Sequence, residues 1–88
     1  MTKDQVMFLL SAKALLEAVA ESDMGVPESA LYLAVNSDYF VASNILAFLK
    51  EKQAIKVTRH LCRKGPHFDK INGLLTDFEN KIKSLKQA

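Results

Sequence analysis

The chain has 88 residues, 49% of them hydrophobic, and a formal net charge of +2. A chain of this length forms one small domain, and no apolar run approaches the roughly 20 residues that cross a bilayer. We therefore expect a single domain, residues 1–88, with no membrane span. Its one cysteine, Cys62, excludes an internal disulfide and agrees with a cytoplasmic location.

The charges are unevenly distributed along the chain. Residues 1–38 hold two basic and six acidic residues, a net charge of −4, whereas residues 39–88 hold ten basic and four acidic residues, a net charge of +6. The densest basic stretch is 50–64, where six basic residues and one acid give a net charge of +5. Such a cluster is suited to a phosphate backbone. The alternative is that these side chains only keep the surface solvated.

The first predicted element is a helix that runs from a cap at Thr2 or Asp4 to about Glu21. Its apolar residues recur at helical spacing and predict one buried face, made of Phe8, Leu9, Ala12, Leu15, Leu16 and Val19. The opposite side is also apolar, at Met7, Leu10 and Ala14. Core packing explains any one of these residues, but a second apolar face is explained more easily by a dimer contact.

A short helix is predicted next, after a polar connection that ends at Gly25. Pro27 suits the first helical position, where its missing N–H costs nothing. Apolar residues then recur at helical spacing, at Ala30, Leu31, Ala34 and Val35. A polar break at Asn36, Ser37 and Asp38 follows, and Ser37 or Asp38 is able to cap the next helix.

That next helix is predicted from Tyr39 to about Lys52. Its buried stripe comprises Ala42, Ile45, Leu46 and Leu49. A rotation of about 100° per residue points Asn44 away from the stripe and places Ser43 on its flank. Both side chains are suited to contact base edges in a DNA groove. An apolar flank of Phe40, Val41 and Phe48 is expected to pack on the following hairpin or on a partner protein.

After this helix the apolar period changes from helical to alternating. Ile55 and Val57 alternate with Lys56 and Thr58, and Leu61 returns on a second arm, so the pattern predicts a short β-hairpin. Two helices joined by a tight turn and followed by a basic hairpin suggest a helix-turn-helix unit whose second helix enters a DNA groove.

Gly65 and Pro66 end the hairpin, and a C-terminal helix is predicted over 66–86. Its apolar residues alternate at spacings of three and four: Phe68, Ile71, Leu75, Phe78, Ile82 and Leu85. This pattern fits either an amphipathic helix lying on the first helix or a heptad seam. A parallel pair would oppose Lys81 and Lys86, so an antiparallel pair, or packing with the N-terminal helices of either subunit, is favoured. We expect a homodimer formed through the N-terminal and C-terminal helices.

The segments VPESALYLAV and DYFVASNILAFLKEKQAIKVTRHLCRKG, joined by a short turn, resemble the core of the winged helix-turn-helix superfamily over roughly residues 26–65. In that superfamily the second helix of the unit enters the major groove and the wing touches phosphate or the minor groove. The resemblance therefore implies that Ser43 and Asn44 meet the bases. It implies a wing role for Lys56, Arg59, His60, Arg63 and Lys64.

We accordingly predict a mainly α protein with a small β-hairpin: a winged helix-turn-helix unit at 26–64 with a C-terminal amphipathic helix. The predicted function is transcriptional regulation by binding double-stranded DNA through helix 39–52 and a basic wing at 55–64. The predicted DNA-binding residues are Ser43, Asn44, Lys50, Lys56, Arg59, His60, Arg63 and Lys64. The alternative is a winged-helix module that binds another protein and not DNA.

Catalysis has little support in the sequence. The phosphate-cradle, dinucleotide, hydrolase and zinc-protease motifs do not occur. His60, Cys62 and His67 form an H-x-C-x4-H cluster, but structural zinc sites usually need four ligands with paired spacing. We expect a protein that is not an enzyme, with no catalytic residues, no metal and no cofactor.

Overall fold

The computed structural model describes residues 2–34 and 39–87. The elements in chain order are α1 (Lys3–Ala20), β1 (Val26–Pro27), α2 (Glu28–Ala34), α3 (Tyr39–Glu51), β2 (Ile55–Thr58), β3 (Leu61–Lys64) and α4 (Phe68–Gln87). The described chain is mainly helical, with one small antiparallel sheet of three strands. Within these residues no helix has both the length and the apolar character that a membrane span requires. The predicted break at 36–38, with its caps Ser37 or Asp38, lies outside the described residues.

Helix α1 begins at one of the two predicted caps. The Thr2 hydroxyl oxygen accepts a hydrogen bond from the Gln5 backbone N–H at 3.2 Å, and the Gln5 side-chain oxygen accepts one from the Thr2 backbone N–H at 3.0 Å. This capping box satisfies two N–H groups that a helix start otherwise leaves unpaired. The helix therefore starts at Lys3, and it ends at Ala20, one residue before the predicted end.

Strand β1 is an element that the sequence analysis did not predict. Val26 pairs with Cys62 and Pro27 pairs with Leu61, which gives the strand order β1-β3-β2. The expectation that Pro27 opens a helix is wrong, because Pro27 lies in this edge strand and α2 begins at Glu28. An edge strand tolerates a residue without an N–H group as readily as a helix start does, so proline alone does not distinguish the two.

One hydrophobic core joins α1, α3 and the sheet. The predicted stripe of α3 is fully confirmed, since Ala42, Ile45, Leu46 and Leu49 are all buried. On α1 the residues Ala12, Leu15, Leu16 and Val19 are buried, and Phe8 and Leu9 pack at the edge of the core. On the opposite side of α1, Met7 is 55% exposed, Ala14 is also exposed and Leu10 is half-buried.

Helix α4 packs along α1, as one of the two predictions for the C-terminal helix stated. Phe68 and Leu75 are buried against the core, although the helix begins at Phe68 and not at the predicted Pro66. The Lys13 ammonium, on a residue only 7% exposed, donates a hydrogen bond of 2.9 Å to the side-chain oxygen of Asn72. This bond joins one position on each helix, so it favours the observed register of α1 and α4.

Candidate nucleic-acid interface

The hairpin leaves α3 through a tight helix end. Gln53 has a left-handed backbone, with φ 59°. The Gln53 N–H donates to the Lys50 carbonyl oxygen at 3.0 Å, and the Ala54 N–H donates to the Leu49 carbonyl oxygen at 2.9 Å. These two bonds form a Schellman motif, which satisfies the last carbonyls of the helix. The chain consequently turns from α3 into β2 within a few residues.

The returning arm of the hairpin is anchored to the same helix end. The Gly65 N–H donates to the Ala54 carbonyl oxygen at 2.9 Å, and the His67 N–H donates to the Gln53 carbonyl oxygen at 2.9 Å. At the far end of the hairpin, the Glu28 N–H donates to the His60 carbonyl oxygen at 3.2 Å. Both ends of the hairpin are therefore fixed to the helical part of the protein.

The strand register sorts the hairpin side chains onto two faces. Residues directly opposite each other in an antiparallel pair share a face, and successive residues alternate between faces. Val57 pairs with Cys62 on the core face, whereas Lys56 pairs with Arg63 on the outer face. Lys56 and Arg63 are both exposed. The outer face thus holds two like charges side by side, an arrangement that costs stability.

Arg59 and His60 form the turn at the tip of the hairpin. Both have left-handed backbones, with φ 54° and φ 65°, and both are exposed. A two-residue turn with two positive φ values is type I′, which favours Asn-Gly or Gly-Gly. Side chains with a Cβ cost about 1 kcal/mol or more in this conformation. The tip therefore presents an arginine and a histidine side chain at a cost in stability.

Arg63 is held in position by the loop between α1 and β1. Its Nε donates a hydrogen bond to the Met24 carbonyl oxygen at 3.3 Å. Gly25 has φ +99°, and a Cβ there would lie 3.1 Å from both Cγ and Nε of Arg63. Only one N–H of the guanidinium is engaged in this bond, so its other donors remain available for an anion. The loop orients the side chain without neutralising its charge.

Lys64 is separated from the other basic residues of the hairpin. It pairs with Ile55 and so belongs to the core face of the sheet, at its end. Its ammonium lies 5.1 Å from the centroid of the Phe68 ring, at the start of α4. A cation over an aromatic face is attracted by the ring quadrupole. Lys64 therefore connects the hairpin to α4, and Lys56, Arg59, His60 and Arg63 together form what we call the basic hairpin surface.

The structure places the two predicted base-reading residues of α3 on different sides of the helix. Asn44 is exposed and lines a hollow against α1 together with Met7, Phe8 and Ser11. Ser43 is half-buried and lies about 100° around the helix from Asn44. Lys50, seven residues after Ser43, lies on the same flank as Ser43. The pair that shares a side of α3 is therefore Ser43 and Lys50.

The sequence analysis expected the apolar flank of α3 to pack on the hairpin or on a partner protein, but Phe48 packs against α1 instead. The Phe48 ring meets the Phe8 ring edge to face, with centroids 5.4 Å apart and planes at 76°. Such a pair adds to the burial of both rings. Phe40, at the other end of α3, is 78% exposed.

The members of the H-x-C-x4-H cluster do not share a site. Cys62 is buried on the core face of the sheet, whereas His60 is exposed at the hairpin tip. Burial raises the pKa of the Cys62 thiol, Glu28 raises it further, and Lys50 lowers it. Within the described ranges, no three His, Cys, Asp or Glu side chains are placed to hold a metal ion.

Sequence reasoning missed the backbone that positions these side chains. Met24 and Gly25 orient Arg63, and Gln53 turns the chain into the hairpin. The glycine before a Val-Pro pair was a signal for a turn into an edge strand, but no signal marks Gln53. No family model, curated protein or solved structure matches this chain.

Proposed function

We propose that the protein binds double-stranded DNA as a winged helix-turn-helix protein and acts as a transcriptional regulator without enzymatic activity. In this proposal α2 and α3 are the helix-turn-helix unit and the β2–β3 hairpin is the wing. The element order and the antiparallel sheet order β1-β3-β2 support the assignment. The observation that carries it is the basic hairpin surface, because Lys56, Arg59, His60 and Arg63 are all exposed and residues 55–64 contain no acid.

The outer face of the hairpin is proposed to bind the phosphate backbone. Lys56 and Arg63 lie opposite each other on exposed positions of β2 and β3. Phosphate would relieve the repulsion between these two cations, and each neutralised phosphate releases counterions, which drives binding. Arg63 is suited to a bidentate contact because its planar guanidinium matches a phosphate. Its bond to Met24 holds the side chain in place before DNA arrives.

The hairpin tip is proposed to reach the minor groove. Arg59 and His60 are the most distal residues of the hairpin, and both are exposed in a strained turn. A narrow minor groove has an enhanced negative potential that attracts arginine. Strained backbone conformations cluster at functional sites. An Asn-Gly turn would avoid the strain of this one. A tip of Arg-His, where Asn-Gly would be more stable, favours this role.

Helix α3 is proposed to lie at the major groove with the flank that carries Ser43 and Lys50. Lys50 lies in the last turn of α3, which leads into the hairpin, so it adds a positive charge near the wing. The first half of α3 contains no basic residue. Phosphate contacts therefore supply most of the affinity, and base contacts supply little. Asn44 contributes less than its sequence position suggested, because it lies by the hollow against α1.

The test measures binding to a fluorescently labelled duplex of random sequence at two salt concentrations. The four cationic side chains of the proposed interface are Lys50, Lys56, Arg59 and Arg63. If each neutralises one phosphate, affinity falls roughly a hundredfold between about 50 and about 200 mM salt. The variant Lys56→Gln with Arg63→Gln should bind more weakly at low salt. The affinity of this variant should decrease only roughly tenfold between the two salt concentrations, because two phosphate contacts are removed.

The matched control is Lys3→Gln with Lys83→Gln. It removes the same number of charges from exposed positions on α1 and α4, outside the hairpin. The control should keep both the affinity and the salt slope of the wild type. Equal losses in the two variants would show that only net charge matters, and unchanged binding by the hairpin variant would exclude the wing assignment.

The rival function is a module that binds another protein through its apolar surface. It is favoured by the exposure of Met7, at 55%, and of Phe40, at 78%. Met7 and Val41 line the hollow that also contains Asn44, so apolar side chains of α1 and α3 border the same depression. Burial of such a surface depends little on salt. Absence of duplex binding at low salt would favour this function over the DNA-binding one.

A further inference from the structure

Helix α4 carries a second apolar stripe besides the one that packs on α1. Leu74 is 58% exposed, Leu85 is 73% exposed, and Phe78 lies half-buried between them. Their spacings place all three within about 40° on one side of the helix. The buried Leu75 is turned about 100° from Leu74. This stripe therefore borders the contact with α1 on the side open to solvent, and we call it the outer stripe (Leu74, Phe78 and Leu85).

The outer stripe continues into an apolar hollow between three helices. The hollow has a volume of about 270 Å³. It is lined by Leu9 of α1, by Phe48 of α3, by Lys52 just after α3, and by four apolar residues of α4: Ile71, Leu74, Leu75 and Phe78. Leu74 and Phe78 belong to both the hollow and the stripe. Contiguous apolar surface of this kind marks a place where another molecule binds.

We infer that a second copy of this chain covers the outer stripe, with the two α4 helices packed antiparallel about a two-fold axis. Leu74 and Leu85 are eleven residues apart. An axis that passes midway between positions 79 and 80 therefore places Leu74 against Leu85 of the partner subunit. The reciprocal contact forms at the other end, as a closed two-fold interface requires. The two Phe78 side chains then lie near the centre.

The charges beside the stripe support a copy of the same chain in this direction. Asp77 and Lys81 are exposed, and neither forms an ion pair with any described residue. Both lie on the same flank of the stripe, and antiparallel helices bring like flanks together. The same axis places Asp77 within one residue of the level of Lys81 of the partner subunit, and Lys81 within one residue of Asp77 of the partner subunit. In a parallel pair each charged residue would instead lie level with the same residue of the partner subunit, so that like charges would face each other.

This dimer is independent of DNA binding, since α4 lies outside the basic hairpin surface. Its first test is sedimentation equilibrium of the full chain without DNA, with wild type expected as a dimer. Leu85→Lys and Leu74→Lys should each raise the dimer dissociation constant at least a hundredfold. Asn80→Lys is the matched control, since Asn80 is exposed on the side of α4 away from the stripe. It should leave the dimer intact.

The second test separates a second copy of the chain from any other partner by exchanging the charges. Asp77→Lys and Lys81→Asp should each raise the dissociation constant at least tenfold, because each places like charges together. The double variant Asp77→Lys with Lys81→Asp should return to within about threefold of the wild type. Additive losses in the double variant would overturn the proposed register.

The third test fixes the direction of the helices by disulfide formation, in a Cys62→Ala background. An equal mixture of Leu74→Cys and Leu85→Cys chains should form a cross-linked heterodimer. Leu85→Cys alone should not cross-link, because the two positions lie about 16 Å apart along the helices. Cross-linking of Leu85→Cys with itself would overturn the antiparallel pairing. A wild-type chain that sediments as a monomer at about 100 µM, well above the roughly micromolar dissociation constants of weak specific dimers, would overturn the dimer itself.

Discussion

A β-carbon on Gly65 would lie 2.4 Å from the carbonyl oxygen of Gln53. The chain passes this close because Gln53 ends α3 and Gly65 closes the hairpin, and the two segments are joined by backbone hydrogen bonds. No side chain fits between them. The direction in which the hairpin projects from α3 is therefore set by a contact that only glycine allows.

Gly65→Ala should lower the free energy of unfolding by about 2 kcal/mol or more, because the added methyl group displaces backbone and not a flexible side chain. The measurement is urea unfolding followed by circular dichroism. Gly73→Ala is the matched control, since Gly73 lies in α4 and a Cβ there would meet nothing within 4 Å. That change should raise the free energy of unfolding by up to about 1 kcal/mol. A similar effect of both substitutions would contradict the close approach.

The buried ammonium of Lys13 gives a second prediction. Asn72→Ala removes the oxygen that accepts its 2.9 Å hydrogen bond, so we expect a loss of about 1.5 kcal/mol or more in the free energy of unfolding. Glu17→Gln removes the other partner, a carboxylate 3.3 Å away on a largely exposed side chain. An exposed ion pair contributes little, so this control should lose less than about 0.5 kcal/mol. Equal losses would show that the hydrogen bond from Lys13 to Asn72 stabilises the fold no more than the exposed ion pair with Glu17 does.

Local patterns predicted the helices and the hairpin because each of these elements contains its own period. The stripe of α3 repeats at 3.6 residues, and Ile55 and Val57 alternate at two. A strand of two residues has no period, so β1 could be found only through its partners, Leu61 and Cys62, which lie far along the chain. The same limit applies to Arg63, whose orientation depends on Met24 and Gly25.

The sequence predicted which residues belong to the candidate site better than it predicted how their side chains lie relative to one another. Charge alone indicated Lys56, Arg59, Arg63 and Lys64, but the strand register separates Lys64 from the other three. On α3, helical geometry predicted the angle between Ser43 and Asn44, but it did not predict which flank of the helix faces α1. The Phe8–Phe48 contact decides that question, and it joins residues that no local rule connects.

Cys62 should react slowly in the folded protein. Burial raises the pKa of its thiol, so less thiolate forms near neutral pH, and access is restricted as well. Alkylation by iodoacetamide should be at least tenfold slower in the native protein than in urea. Comparable rates in the two states would show that the thiol is accessible from the outer side of the sheet.

The same raised pKa predicts the direction of a pH effect on stability. The folded state holds the Cys62 proton more tightly than the unfolded chain does, so this stabilisation is complete below the unfolded pKa of about 8.5 and is lost as pH rises through the folded pKa. The difference in free energy of unfolding between wild type and Cys62→Ala should therefore shrink from pH 7.5 to about pH 10. A difference that grows with pH would contradict the burial of the thiol.

The hairpin tip offers a prediction in which stability and binding change in opposite directions. Arg59→Asn with His60→Gly introduces residues that adopt positive φ readily, so the free energy of unfolding should rise by about 1–2 kcal/mol. The same change removes the cation and the imidazole from the tip, so duplex binding at low salt should weaken. Thermal unfolding and fluorescence anisotropy on one preparation measure the two effects.

Gln53→Gly is the control for this last prediction, because Gln53 also has a positive φ but lies at the end of α3, away from the tip. Relief of its backbone strain should stabilise the protein by about 1 kcal/mol and leave duplex binding unchanged. If the tip variant gains stability and binds as well as wild type, the strained Arg-His turn has no part in DNA binding. If it loses stability, the left-handed turn of the wild type is not strained, and its backbone gives no support to a role of the tip in DNA binding.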